Sequence, residues 1–497
     1  MIYLGIDSGT QSTKTIALDF DSGEILASAQ AAYSLIEGLP AGHLEQHPQD
    51  WVHAVEKSVG ACLEQLGVRR NEVQGIGVSG QQHGLVVLDE LDEVIRPAKL
   101  WCDTSTTAEC EAFGLGFGGT EGLVELAGNA VLPGYTAPKL LWLKRNEPDH
   151  FASVRSVLLP HDYLNFWLTG EKRMEYGDAS GTALLDVRKR EWCVPLCDFI
   201  EKGFANRLPE LGSSTKPAGI LRPELAGSWG LSPHVLVSSG GGDNMMGAIG
   251  TGNIEEGIFT VSLGTSGTLY ACANNPVVDR RGEVAAFCDS TDRWLPLVCT
   301  MNVTVATETI RRLFGWNLQQ FSEAASGAAA GSEGVTFLPY LNGERTPNLP
   351  HGSGVFHGLT TKNSTPSNLA RSAVEGATLG LAYGLERFRE LGLEPREVRL
   401  TGGGSNSKLW REIATSIFGV QTVCLETAEG AALGAAIQAA WCDPSQSHNS
   451  LSQLTTRLVQ LDESTRVTPD EQERTIYAEL LSRFKDLTQN LKAGGHL

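Results

Sequence analysis

One stretch of this chain has the residues and spacing for proton chemistry: Ser239-Gly240-Gly241-Gly242-Asp243-Asn244, set between the apolar runs 235–237 and 245–249. The pattern predicts a strand, a tight glycine turn and a helix start. Glycines admit positive φ and leave room for a ligand against the backbone. Asp243 would then stand at a helix N-terminus, where unpaired N–H groups favour an anion. A carboxylate held there takes a proton from a substrate hydroxyl when geometry and pKa suit. Read alone, the same residues describe an Asp capping a helix after a glycine turn.

Two hairpins shift that balance. The run 2–6 is an apolar strand, followed by Asp7-Ser8-Gly9-Thr10-Gln11-Ser12-Thr13-Lys14, a strand over 15–19 and a third over 24–29. A turn so rich in hydroxyls, with Gly9 beside Thr10, can aim several backbone N–H groups at one anion, and Lys14 could reach it too. The alternative is a plain hairpin with a solvated lysine. The arrangement recurs as a strand over 257–262, the turn Leu263-Gly264-Thr265-Ser266-Gly267 and a strand over 268–272. The glycine corner has an echo as well, since the apolar strand at 398–401 ends in Gly402-Gly403-Gly404-Ser405-Asn406. Hairpin and corner in the same order twice suggest a duplicated α/β domain. Two such domains facing one another across a cleft would offer two N–H nests to one polyphosphate. The corner with Asp243 would serve the reacting group. The corner with Ser405 in its place would let a flat base lie on the backbone.

Other elements must position these groups. Residues 48–66 have helical periodicity, with Trp51, Val55, Val59 and Leu63 on one face. A buried strand over 73–78 ends in Ser79-Gly80-Gln81-Gln82-His83-Gly84, and strand ends are where α/β sheets bind ligands. His83 is therefore a candidate contact. Residues 85–89 and 94–101 read as a hairpin around the acidic turn 90–93, and 103–192 as helix and loop. A helix over 369–391 carries Gly376, Gly380 and Gly384 at every fourth position, which predicts another backbone packed along that stripe. A helix over 408–418, a strand over 420–425 and a small-residue helix over 430–440 complete the second domain. Residues 443–452 read as a polar linker. Thr468-Pro469-Asp470-Glu471 then reads as a capping box opening a helix with Ile476, Leu480, Phe484 and Leu487 on one face.

At 497 residues the chain is too long for one core, and two domains, 1–250 and 251–497, are the expected division. The net charge of −19 argues against a nucleic-acid or anionic-membrane surface. The ten cysteines are scattered, and Cys193 and Cys197 lack a second pair at zinc spacing, so free thiols in a reducing compartment are expected. The N-terminus reaches Asp7 too soon for a secretory leader, and no apolar run is long enough to span a bilayer; the expectation is a cytoplasmic protein. No Gly-x-x-x-x-Gly-Lys-Ser/Thr occurs, so any nucleotide is held without a P-loop.

Taken in order, the motifs resemble those of the FGGY family of carbohydrate kinases. The resemblance runs from Tyr3 to about Ala440. It rests on 5–10, 262–267, 240–244, 337–341, the run Gly343-Glu344-Arg345-Thr346-Pro347, and 402–404. Residues 133–142 and 158–164 are similar to the branch that acts on D-xylulose. The resemblance implies two ribonuclease H-like (actin-like ATPase) domains, ATP and magnesium as cofactors, and transfer of the γ-phosphoryl group to the terminal hydroxyl of a pentulose. It implies Asp243 as general base and Asp7 as a magnesium anchor acting through water. Gly9, Thr10, Gly264 and Thr265 would cradle phosphates, with Gly402, Gly403 and Asn406 on the adenosine. Gln82, His83, Asp243 and Asn244 would read the sugar. A homodimer is an assembly the family allows. Three positions depart from the family pattern: Gln82 stands where Met is usual, Ser105 where Arg is, and His161 where Lys is. The competing readings are a sibling kinase for ribulose, fuculose, rhamnulose, gluconate or glycerol, and a non-catalytic nucleotide-binding protein of the actin or Hsp70 sort.

Overall fold

The computed structural model describes every residue except Ala428. Its contacts divide the chain into two units. Residues 1–254, 272–296 and 429–459 form the first, and 255–271, 297–428 and 460–497 the second.

The first unit opens on an antiparallel meander, β1 (Ile2–Ser8), β2 (Ser12–Asp19) and β3 (Ile25–Ala32). Helix α1 (Pro48–Leu66) starts on a proline, buries Trp51, Val55, Val59 and Leu63, and returns the chain to β4 (Val73–Gly80). β4 lies parallel to β1, a pairing that requires such a crossover. Further along come α2 (Pro160–Thr169), α3 (Tyr176–Ser180), β5 (Gly219–Ile220), β6 (Leu236–Val237) and α4 (Asp243–Gly250). β6 is parallel to β4 and β5 antiparallel to β6, which gives the order β5-β6-β4-β1-β2-β3.

The second unit repeats this plan. It contains β7 (Ile258–Leu263), β8 (Gly267–Ala271), residues 297–300 of β9 (Trp294–Thr300), α5 (Thr304–Leu313), α6 (Pro366–Glu390), β10 (Glu397–Thr401), α7 (Lys408–Phe418) and β11 (Thr422–Leu425). Helices α8 (Gly430–Cys442) and α9 (Leu451–Leu458) belong to the first unit, while β12 (Leu461–Val467) and α10 (Glu471–Ala493) return to the second. The strand order here is β12-β11-β10-β7-β8-β9. β7–β8, β8–β9 and β11–β12 are antiparallel, and β7–β10 and β10–β11 are parallel. Order and directions of these six strands match those of the six in the first sheet, as a duplicated α/β domain requires.

This topology corrects one pairing read from the sequence. Gly402–Gly404 follow β10, which lies beside β7 as β4 lies beside β1, so their counterpart is the Ser79–Gly84 turn. The Asp243 corner follows β6, whose counterpart is β11, and the counterpart of α4 is α8. The two triple-glycine runs are alike because both turn sharply at a strand's carboxyl end, not because they occupy equivalent places. The true counterparts, α4 and α8, cross within the first unit at glycines. A Cβ on Gly250 would fall 1.7 Å from the Gly430 carbonyl oxygen, and one on Gly434 would fall 1.8 Å from that of Met246. Helix α8 also lies directly on the sheet. Added Cβ atoms at Gly5 and Gly77 would meet the carbonyls of Ala432 and Ala435 at 1.9 and 2.0 Å.

Several local expectations change too. Residues 86–88 pair with 156–158, while the hairpin around 90–93 is held by bridges of Leu85 to Lys99 and Leu88 to Val94 and by the N–H groups of Leu85, Asp89 and Ile95, which donate to the carbonyls of Lys99, Glu93 and Val87. In the α6 stripe only Gly376 meets a backbone, the Phe337 carbonyl; Gly384 meets the Val298 side chain, and a Cβ on Gly380 would meet nothing within 4 Å. The 443–452 segment is structured, with Ser450 capping α9. The cap of α10 is Asp470, not Thr468, because the Asp470 carboxylate accepts the N–H groups of Gln472 and Glu473. The buried face of α10 is Tyr477, Leu480, Leu481, Phe484 and Thr488, and Ile476 is 42% exposed.

Candidate active site

The site in the first unit is assembled at the carboxyl end of β4. In register, Asp7 and Ser8 of β1 face Ser79 and Gly80 on one side of that strand, and Gly241 and Gly242 pair with the same two residues on the other. Asp7 and the Asp243 corner therefore flank one strand end, with backbones two strand spacings, about 10 Å, apart. Gly240 takes φ 68°, and a Cβ there would meet the Val78 carbonyl at 2.6 Å, so the corner demands glycine.

Asp243 is the first residue of α4. Its Oδ1 accepts the Asn244 backbone N–H at 2.8 Å and the Asn244 amide at 3.0 Å. Among the described residues no donor reaches Oδ2, which leaves one oxygen of the pair for a ligand. Burial raises the Asp243 carboxyl to about 7, and the negative charges of Asp7 and Asp178 add to the rise. Asp7 is raised to about 6, by burial above all, although it accepts the Ser79 hydroxyl at 2.8 Å. Two half-buried carboxylates this short of donors are suited to a hard cation or to a proton.

Asn244 also donates to Gln82 Oε1 at 2.9 Å, and the Gln82 amide donates to the Met245 sulfur at 3.2 Å. Gln82 thus fixes Asn244, a role the sequence did not reveal. His83 has φ 64° and is 7% exposed. Its carbonyl accepts from Lys139 Nζ at 2.7 Å, and its ring lies 4.7 Å from Tyr135 and 5.6 Å from Phe287, centroid to centroid.

The first hairpin turn is braced from three sides. Thr10 accepts the Trp101 indole N–H at 2.9 Å on its hydroxyl and the Gln46 amide at 2.7 Å on its carbonyl, and donates to Gln81 at 3.3 Å. Tyr33 donates to the Gly9 carbonyl at 2.6 Å. Lys14 forms an ion pair with Glu429, at the start of α8. Gln46, Gln81 and Trp101 were not singled out in the sequence. They come from three separate segments, Gln46 from the short strand Glu45–Gln46, and no local pattern connects them.

In the second unit, the N–H groups of Val303 and Thr304 donate to the carbonyls of Thr265 and Gly264 at 3.1 and 2.9 Å, tying the second hairpin turn to the start of α5. Gly402, φ 80°, packs against that turn, and a Cβ there would lie 2.7 Å from the Leu263 carbonyl carbon. Gly403 and Asn406 are exposed beside it. So Gly264, Thr265, Gly402, Gly403 and Asn406 gather in one unit, and Asp7, Gly9, Thr10, Lys14, Gln82, His83, Asp243 and Asn244 in the other.

A different cluster has the look of a metal centre. His43, Glu45 and Asp103 offer ligand atoms within 4.8 Å of one another. Its cation is already a side chain: Lys99 Nζ lies 3.1 Å from both His43 Nδ1 and Asp103 Oδ2, 3.2 Å from Glu45 and 2.9 Å from Ser105 Oγ. Lys99 thus supplies a positive charge beside Ser105, where the family pattern has Arg.

Family models decide the wider identity. The N-terminal domain of the FGGY carbohydrate kinases matches residues 2–250, and the C-terminal domain matches residues 259–442. The chain belongs to the FGGY family of carbohydrate kinases. A xylulose kinase of Haemophilus influenzae is 42% identical over 97% of this chain and 98% of its own. The xylulose kinase of Escherichia coli is 35% identical over 99% of each. A crystal structure described as a xyloylose kinase from Brucella ovis superposes with a TM-score of 0.92 at 32% identity, over 99% of this chain and 100% of that one. The fold of this FGGY kinase is thus the family's two-domain α/β architecture, and the chain is a carbohydrate kinase. Among the described residues no helix is long and apolar enough to cross a membrane.

Proposed function

We propose that this FGGY kinase transfers the γ-phosphoryl group of ATP to the terminal hydroxyl of D-xylulose, giving D-xylulose 5-phosphate. The observation that carries the reading is the Asp243 carboxylate: half-buried, raised to about 7, and with Oδ2 left without a protein donor. A base of that pKa is partly ionised at neutral pH and still binds a proton well. As the sugar hydroxyl attacks phosphorus, its proton passes to Asp243. Phosphoryl transfer otherwise needs positioning and charge stabilisation more than covalent help. The turns at Gly9–Thr10 and Gly264–Thr265 supply N–H groups to the phosphates. Lys14 joins them only by leaving Glu429. Gly402, Gly403 and Asn406 carry the adenosine. Asp7 fits magnesium as a half-buried oxygen donor with one hydroxyl partner, and the ion would neutralise phosphate charge there. Gln82, through Asn244, and His83 shape the sugar side. The homologues named xylulose kinase support the choice of pentulose. So does the internal accommodation of the three departures: Gln82 is engaged by Asn244 and Met245, Ser105 by Lys99, and His161 by two aspartates. A single division of labour follows, with residues 1–250 for sugar and base and 251–497 for nucleotide.

The test has two arms. Asp243→Ala loses sugar phosphorylation by at least about a hundredfold, the usual worth of a general base, while ADP binding by calorimetry stays near the parent's. Turnover near the parent rate in that variant refutes the base. In a phosphorylation panel of D-xylulose, ribulose, fuculose, rhamnulose, gluconate and glycerol, D-xylulose has the highest kcat/KM. Another acceptor preferred by about tenfold or more overturns the substrate.

A further inference from the structure

The backbone that carries Asp243 rests against a buried set of charges with no part in the scheme above. His161, on α2, is fully buried, with Nδ1 2.7 Å from Asp178 Oδ2 and Nε2 3.0 Å from Asp162 Oδ1. Burial works against a charge on this imidazole, but the two carboxylates outweigh it and raise His161 to about 9. His161 is therefore a cation clamped between two anion sites. Asp178, on α3, is itself 0% exposed. Its second oxygen, Oδ1, has no hydrogen-bond partner among the described residues, and a Cβ on Gly242 would lie 3.0 Å from it. An unpartnered buried oxygen is costly, so its place against the Gly242–Asp243 backbone calls for an account.

We propose that Asp178, held by His161, is a positioning residue for Asp243: a fixed negative charge behind the glycine corner that sets how strongly the base attracts a proton. The proposal rests on the reading of Asp243 as that base. His161 supplies the opposite charge at Oδ2 and leaves Oδ1 on the side of the corner. The groups that face the Asp243 corner are Asp7 from β1, Asp178 from α3, the His161 ring from α2, whose Cδ2 lies 3.0 Å from a Cβ placed on Gly240, and its own neighbour Asn244, held by Gln82. Behind Asp178 stand Asp162 and Glu175, each raised to about 7 chiefly by burial. Glu175 is occupied by the N–H groups of Gly177 and Asp178 and by the Ser214 hydroxyl. The unpartnered carboxylate oxygen against Gly242 is thus that of Asp178. Repulsion from it disfavours ionised Asp243 and holds the base nearer neutrality.

The experiment is the pH profile of kcat/KM for the sugar in the full-length enzyme. Asp178→Asn removes the charge and keeps the shape. Its acidic limb is expected to move to lower pH by at least about half a unit, which is about threefold more of the plateau activity retained well below the limb. His161→Lys keeps the cation, and its limb stays at the parent position. A structural role alone would lower kcat or the melting temperature of these variants without moving the limb. If Asp178→Asn does not fold, Asp178→Ser carries the test: it removes the same charge, and the limb moves the same way. A limb unmoved in the folded Asp178→Asn enzyme, or in Asp178→Ser should the former not fold, overturns the proposal. So does a limb displaced in His161→Lys as far as in Asp178→Asn. Failure of the underlying reading shows separately, as activity that survives in Asp243→Ala.

Discussion

Asp243 combines two features that pull against each other in a folded chain. It is half-buried beside two other acids, and its carboxylate is met on one oxygen only. Its pKa in the native state, about 7, lies above the ordinary carboxylate value of 3.8. The folded protein therefore binds more protons at this residue than the unfolded chain does between those two values. By linkage, the contribution of Asp243 to stability is fully present below about 4 and is lost as pH rises through 7. Asp243→Asn removes that penalty while keeping the donor from Asn244. Its melting temperature relative to the parent is expected to rise as pH goes from 5 to 7 and to level off above, read by scanning calorimetry of the ligand-free proteins. An advantage that is flat across this range would mean that the carboxylate is not buried as described. The variant would be more stable and inactive at once, which is the usual conflict between a reactive site and a relaxed one.

At the scale of elements, glycine decides where helices can lie. Helix α8 approaches β1 and β4 through Gly5 and Gly77, and crosses α4 through Gly250 and Gly434. Gly77→Ala places a methyl group 2.0 Å from the Ala435 carbonyl oxygen, too close for any neighbouring side chain to relieve. A cost of about 1–3 kcal/mol is expected, as for other overpacked cores. Gly380→Ala in α6 is the contrasting case. Its Cβ meets nothing within 4 Å and its backbone is helical, so it should gain about 0.5–1 kcal/mol from helix propensity. Urea unfolding of the two variants beside the parent checks both signs. Equal effects would mean that close backbone approach does not govern the placement of α8.

For the whole molecule, the proposed reaction requires a native state that binds both sugar and nucleotide. Each ligand that binds only the folded chain stabilises it by mass action, by about 2.7 kcal/mol at a hundred times its Kd. D-xylulose with a non-hydrolysable ATP analogue and magnesium is expected to raise the melting temperature more than either alone, and more than glycerol or gluconate with the same nucleotide. No shift with the nucleotide would argue against the kinase chemistry in this chain. A shift with nucleotide but with none of the sugars would point to an acceptor outside the panel.

The sequence determined whatever depends on a few neighbouring residues. Helix α1 has the bounds that periodicity and its opening proline predict, both hairpins with their Gly-Thr turns form as read, and Asp243 opens a helix after a glycine turn. The doubling of the domain was legible as well, because the same local signals recur in the same order. Tertiary structure decided which repeats correspond, since strand order is set by parallel pairings between residues as far apart as Gly75 and Leu236, in β4 and β6. It placed α8 on the first sheet although the chain reaches it from the second unit. It also chose the partners of the charged and polar groups: Lys14 with Glu429, Gln82 with Asn244, His161 with Asp178. Turn and helix signals act over four residues and are written in the chain. Burial and charge pairing act through space, and only folding brings those groups together.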